Sequence, residues 1–432
     1  MTPLRLIAII GIFFFTMIAW FILGGSINMR TSEKTIQLGQ RVENNWGGAH
    51  TQLAPEFYWY ESVFDTTMET STSASGQVVR QQKITARKEK RKLEVTQSDI
   101  VADIKVDYRQ KGLLWYSVYE IKFKGSFRVA NSTPLDKDIF VQFDFPSQNS
   151  LYDDFLLTAN GQSLMDEGLQ NTETTQNAYG QTLSQFLTAK TPFKPNEEKE
   201  FVIGYRSQGT GLWQFSFGDG TRRVKNFALN VTTHFKEFDI PEFCTSPSEK
   251  TETPDGWNLM WKYSDVISNI KIGVDMPKKL NPGPVAERIS FFAPVSLLFF
   301  FTILIIVGAI QGNSIHPMNY FFLAAAFFAF HLLFAYLVDH LELGWSFIIA
   351  SATSVALVFT YMRLVMNTGF TLKVIVPTQI IYLVLFSYSF FFEGYTGLTI
   401  TIGAIVTLFV LMQMTAKIDW SKVFGKVPTQ KN

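Results

Sequence analysis

From position 289 to the end, 144 residues carry only six Lys and Arg and four Asp and Glu, too few to cover a water-exposed domain. Five apolar stretches occupy that length: 289–310, 318–338, 343–361, 374–392 and 398–414. A sixth, 6–23, lies near the N-terminus and contains no ionisable residue. Each approaches the roughly 20 residues that cross a bilayer at about 1.5 Å per residue. Lipid offers no partner to a backbone N–H or C=O, so these stretches are expected to be helices despite their Phe and Thr content.

The stretch 6–23 has two readings, a retained anchor or a cleaved signal peptide with Gly24, Gly25 and Ser26 as its small residues. Its apolar part exceeds the roughly 7 to 15 residues of a signal core, which favours the anchor. Six crossings put both termini on one face. With that face cytoplasmic, it receives Arg5, Arg363, Lys373, Lys417, Lys422, Lys426 and Lys431, whereas the short loops 339–342 and 393–397 have no Lys or Arg. The bias toward a positive cytoplasmic face therefore predicts a cytoplasmic C-terminus and a periplasmic segment between the first two helices. Trp345, Tyr395 and Trp420 suit the aromatic belts at the two interfaces.

The expected organisation is a cytoplasmic stub and first helix at 1–27, a large extramembrane domain at 28–288, a five-helix membrane domain at 289–416 and a cytoplasmic tail at 417–432. The domain at 28–288 holds 31 Lys and Arg against 33 Asp and Glu. That near-neutrality argues against a nucleic-acid partner and leaves the lipid bilayer and envelope proteins as expected partners.

Within the large domain the hydrophobic period is two. Ile100, Ala102, Ile104, Val106 and Tyr108 alternate with mainly polar neighbours, and Tyr119, Ile121 and Phe123 alternate with Glu120, Lys122 and Lys124. Further strands are expected at 139–145, 155–158, 200–206, 212–217, 227–235, 258–263 and 267–274. An antiparallel, sandwich-like fold follows, with one helix near 181–187 and another at 31–46 capped by Thr31 or Ser32. The Ser- and Thr-rich 66–82 reads as a mobile loop, GDGT at 218–221 as a hairpin turn, and the proline-bearing 276–287 as a semi-rigid neck.

Chemistry is thinly signalled. The chain lacks GxSxG, HExxH, a Walker A loop and a GxGxxG after a strand, and its one cysteine, Cys244, excludes an internal disulfide or a Cys-rich metal site. No enzymatic activity, cofactor or metal is expected. The run 86–94 is basic, yet no aromatic side chain is interleaved for base stacking, so it reads as a solvated edge strand or loop. The polar residues singled out are His331 inside the third helix, Asp339 and His340 with Glu342 in the following loop, and His316 before Pro317. An ionisable ring within a membrane helix is costly enough to suggest a proton or ligand role for His331, against helix packing as the alternative. Asp339 and His340 are either a proton-sharing or weak metal-binding group or a solvated loop. His316–Pro317 reads as a helix start, and Pro294 and Pro377 as first-turn prolines.

The C-terminal third, with GNSIHPMNYFFLAAAFFAFHLLFAYLVDHLELGWSFIIAS and the closing KIDWSKV, resembles the CreD family of bacterial inner-membrane proteins. The parallels are Ile315-His316-Pro317 with Tyr320, the pair Asp339-His340, Asp419-Trp420, and the segment 108–127. The resemblance implies a multi-pass inner-membrane protein of Gram-negative-type bacteria, in a family linked to a two-component system and to cell-envelope integrity, with no established enzymatic activity. The functional expectation is a non-enzymatic protein supporting envelope integrity or stress response. A transporter or lipid-handling component with a receiving domain is the alternative.

Overall fold

The computed structural model describes residues 3–72, 78–111, 114–131, 133–165, 169–176, 182–218, 220–311, 315–392 and 394–416. The tail 417–432 and Glu393 lie outside them. Two compact units form: Met1–Leu38, Gln110–Trp115 and Leu280–Asn432 make a helical unit, and Gly39–Arg109 with Tyr116–Lys279 make a β-rich unit.

Among the described residues six helices are long and apolar enough to cross a membrane. They are α1 (Pro3–Trp46), α2 (Pro282–Ile310), α3 (Pro317–Leu337), α4 (Leu343–Val365), α5 (Thr368–Phe391) and α6 (Thr396–Thr415). The apolar stretch 6–23 and the polar 31–46 are one 44-residue helix, because no proline interrupts them and Gly24 and Gly25 tolerate helical backbone. At about 1.5 Å per residue α1 is roughly 66 Å long.

The neck ends earlier than its prolines suggest. Pro282 and Pro284 sit in the first turn of α2, where the N–H groups they lack would have no helical partner, so helix begins directly after Asn281. Pro294 is internal to α2 rather than in its first turns. Pro377 is likewise internal: the Asn367 side chain accepts from the Phe370 N–H at 2.7 Å and starts α5 at Thr368, well before the first-turn position expected for this proline. Wide π turns at Thr371–Ile375 and Ile380–Leu385 flank Pro377 and relieve the clash of its ring with the preceding turn.

The β-rich unit contains β1 (His50–Leu53), β2 (Glu56–Thr72), β3 (Val78–Lys92), β4 (Val95–Lys111), β5 (Leu114–Ala130), β6 (Lys137–Asp144), β7 (Tyr152–Ala159), β8 (Gln162–Ser163), β9 (Leu169–Gln176), β10 (Thr182–Phe193), β11 (Glu198–Thr210), β12 (Leu212–Ser216), β13 (Arg222–Thr233), β14 (Glu249–Glu252), β15 (Trp257–Ser268) and β16 (Ile272–Asp275). An eight-stranded sheet is ordered β14-β15-β13-β4-β5-β11-β7-β8, a five-stranded sheet β3-β2-β6-β10-β9 and a three-stranded sheet β1-β12-β16. Pairing is mostly antiparallel, as between β5 and β11 from Ala130↔Glu198 to Val118↔Thr210, with β13–β4 and β1–β12 parallel.

Three local expectations are corrected. The stretch 181–187 is extended, not helical, from Thr182 on: β10 pairs with β6 on one side and β9 on the other, and two ladders outweigh weak local helix preference. The supposed loop at 66–82 is largely a two-stranded ribbon, with β2 and β3 paired from Tyr58↔Lys92 to Thr72↔Val78. Its Thr residues are β-branched and suit strand backbone as well as a loop. The turn at 218–221 joins β12 to β13, which lie in different sheets, so Gly218 and Gly220 at positive φ turn the chain without making a hairpin.

The core of the β-rich unit draws Phe57 from the five-stranded sheet, Trp213 and Phe215 from the three-stranded one, and Tyr119, Phe201 and Trp261 from the eight-stranded one, all fully buried. At about 1.5–3 kcal/mol for each large apolar side chain removed from water, this set fixes how the sheets close.

Candidate functional site

The helical unit separates the polar residues singled out above. His331 is fully buried in α3; its Nδ1 lies 2.8 Å from the Phe327 carbonyl, and its ring packs edge-on against Trp20 of α1 at 5.3 Å and Phe330 at 4.8 Å. A ring bonded to the carbonyl four residues back and enclosed by aromatic groups has the surroundings of a packing residue. His340 is exposed. His316 caps α3, its Nδ1 accepting from the Met318 N–H at 3.2 Å. Asp339 instead meets two cations of α1: its carboxylate lies 3.0 Å from Arg30 Nη1 and 3.7 Å from Lys34 Nζ. Arg30 also donates to the Ala335 carbonyl at 2.9 Å and stacks over Tyr336. Among the described residues no group of three or more His, Cys, Asp or Glu is placed to hold a metal ion.

A larger cleft, about 480 Å³, lies in the β-rich unit. Phe57, Phe127, Phe215, Phe217 and Phe227 supply apolar walls, and Lys92, Arg222, Arg223 and Lys225 bring cations against the carboxylates of Glu56 and Glu94. Alternation alone does not divide the labour in β13, since Arg223 and Phe227 are four positions apart: Asn226 at positive φ lies between the exposed Arg223, which ion-pairs with Asp265, and the buried Phe227. The rings stack edge-on, Phe215 on Phe217 at 5.6 Å and Phe217 on Phe227 at 4.9 Å.

Glu56 is the electrostatic centre of the rim. Burial pushes its carboxyl up, but hydrogen bonds from Lys92, from Lys90 at 3.1 Å and from Arg222 at 3.2 Å outweigh that effect and hold it down at about 2. It stays ionised, and its three cations are organised around it. Lys225 pairs with Glu94 at 3.0 Å. With Arg223 held by Asp265, an apolar floor beneath a rim that sets Lys92, Arg222 and Lys225 against Glu56 and Glu94 suits a ligand that is part apolar and part anionic. This cleft was missed in the sequence because its walls come from three sheets; the one local signal is the dense basic run RRVK at 222–225 ahead of Phe227.

The nearest approach to a catalytic pair is His50 with Ser150, Nε2 to Oγ 2.9 Å. The imidazole is fully buried between Tyr119 and Tyr152, and burial lowers its pKa to about 4. A base that weak has little power to take a serine proton near neutrality. Cys244 is half-buried and burial pushes its thiol up, the reverse of an activated nucleophile.

No curated protein matches the chain. Among solved structures, it is similar to a Legionella pneumophila protein described as a "putative nutrient binding protein", with 13% identity, covering 49% of this chain and 74% of that one, at a TM-score of 0.29. A likeness of that size carries no argument about fold or function. Residues 251–421, less than half of the chain, match the family model described as inner membrane protein CreD, a stretch that takes in the last strands of the β-rich unit and α2 to α6.

Proposed function

We propose that this protein is a non-enzymatic component of the bacterial inner membrane that supports envelope integrity or the envelope stress response. The β-rich unit faces the periplasm in this reading and the C-terminus the cytoplasm. The observation that carries it is the cleft: a phenylalanine-walled cavity with a cationic rim, in a chain whose six apolar helices hold it at the membrane. Such a site binds rather than transforms, and the buried, weakly basic His50 supports that view. Envelope proteins and lipids are the partners the reading calls for.

Deleting the gene is expected to sensitise cells to detergent and cell-wall antibiotics, with full rescue by the wild-type chain. A chain carrying Arg223→Gln and Lys225→Gln is expected to rescue incompletely at equal abundance. Unchanged permeability and morphology across several stresses would count against the proposal. Sidedness is tested separately: in a Cys244→Ala background, cysteines placed at 66–82 should react with an impermeant reagent from outside the inner membrane, and cysteines at 364–372 should not.

A transporter or lipid-handling role is the second reading. It draws on buried polar groups within the helices, chiefly His331 and Gln379, the latter donating to Ser354 at 3.0 Å. Reconstituted flux that depends on His331 would favour it.

A further inference from the structure

At one end of the helical unit α1, α2 and α3 leave a cleft of about 300 Å³, lined by Arg30, Thr31, Lys34 and Gln37 on one side and by Leu38, Leu114, Pro282 and Val338 among its apolar walls. Arg5 and Arg30 bracket 24 residues of α1 without a charged side chain. At about 1.5 Å per residue that is roughly 36 Å, the hydrocarbon layer and part of both interfaces, so Arg30 belongs at headgroup depth. Lys34, one helical turn on, shares its face.

Three observations point to an anion there. First, the cations outnumber the acid: Arg30 and Lys34 converge on the single carboxylate of Asp339. Second, Lys34 is loosely engaged, at 3.7 Å with its side chain about half exposed, so it can turn to another anion at little cost. Third, the first turn of the 29-residue α2 borders the cleft without a side-chain cap. Asn281, the residue at the cap position, spends its side chain on Trp115, accepting from the Trp115 N–H at 2.8 Å. The positive end of that helix adds to the cationic field. Close packing frames the cleft: a Cβ at Gly283 would fall 2.5 Å from Thr31 Oγ1, so the absent side chain lets α1 and α2 approach closely beside it. Below the charges, Val338 and Leu114 offer apolar surface to a glycerol backbone and the start of an acyl chain.

We propose that this cleft holds the phosphate of a membrane phospholipid, clamped by Arg30 and Lys34, with Asp339 as the resident counter-charge that the phosphate competes against. The proposal rests on the helices lying in a bilayer and is independent of the cleft in the β-rich unit. The full-length chain, purified in detergent, would be titrated with dioleoyl phosphatidylglycerol and bound lipid read by native mass spectrometry. At about 1 kcal/mol per cation near a charged lipid surface, Lys34→Gln is expected to weaken binding roughly fivefold and Lys34→Gln with Arg30→Gln about thirtyfold.

Asp339→Asn is expected to tighten binding several-fold by freeing both cations, a gain that a misfolded variant would not give. Diacylglycerol, lacking the phosphate, should not compete, and inorganic phosphate or glycerol 3-phosphate should compete only at far higher concentration. Equal lipid retention in the wild type, Lys34→Gln and Asp339→Asn would overturn the proposal. So would competition by inorganic phosphate at the lipid's own affinity, which would make this a site for free anion.

Discussion

Thr302, Thr353, Thr360, Thr378 and Thr401 each return their hydroxyl to the carbonyl four residues back, at 2.6–2.9 Å. His331 does the same with its ring. In the β-rich unit polar groups reach much further along the chain: Tyr205 donates to Gln52, 153 positions away, Tyr119 to the Leu212 carbonyl, and His50 meets Ser150. The difference follows from surroundings. A hydroxyl on a membrane helix can be satisfied by its own backbone, although Gln379 and Ser354 bond across helices, whereas a sheet brings distant strands together and lets remote side chains share a buried space. Removing a polar group bonded to its own helix should accordingly be cheap, and removing one shared between strands expensive.

The severest test is in the sheets. Trp261, fully buried with its indole N–H on the Thr245 carbonyl at 3.0 Å, should cost about 3–5 kcal/mol when replaced by alanine, read from denaturant unfolding of the purified chain. A loss below 1 kcal/mol would show that the β-rich core does not depend on close packing there.

Acid gives the next largest effect. His50 is held neutral with its pKa lowered to about 4 from an ordinary 6.5, so the unfolded chain binds its proton first. Its contribution is complete above pH 6.5 and falls as pH drops toward 4, by about 3 kcal/mol in all. Melting temperature followed from pH 7 to pH 4 should decline, and the decline should flatten in His50→Gln.

A smaller effect is expected from His331→Leu, under about 1 kcal/mol, because the ring's one hydrogen bond is local and leucine fills similar apolar surroundings. If it destabilises as much as His50→Leu, the contrast between the units fails. Thr353→Val should be smallest, a few tenths of a kcal/mol, since it removes only a hydroxyl already folded back on its own helix.

The same contrast explains what could be read from the chain. The six crossings are a local property, and runs such as 343–361 predict α4 to within a few residues. Alternation was equally plain in β4, where Ile100, Ala102 and Ile104 are buried between more exposed neighbours. What failed was non-local. The ladders on either side of β10 and the long pairing of β2 with β3 depend on partners that no window of sequence contains. The candidate sites follow suit: His316 was recognisable as a helix start from the proline beside it, whereas Asp339 gained its meaning from Arg30 and Lys34, some 300 residues earlier. Glu56 showed no sign of its role, because Lys90, Lys92 and Arg222 assemble around it only when the strands pair.

The wide turns of α5 have a consequence for how that helix tolerates change in length. An ordinary helical turn advances each residue by about 100°, so dropping one residue from α4 would swing everything after it to another side of the bundle. A π turn holds a surplus residue. Losing one between Ile380 and Leu385, beyond Pro377, would tighten that turn to the usual pitch and leave the flanking faces nearly in phase, making this short stretch a place where the membrane domain can be shortened without being rewound.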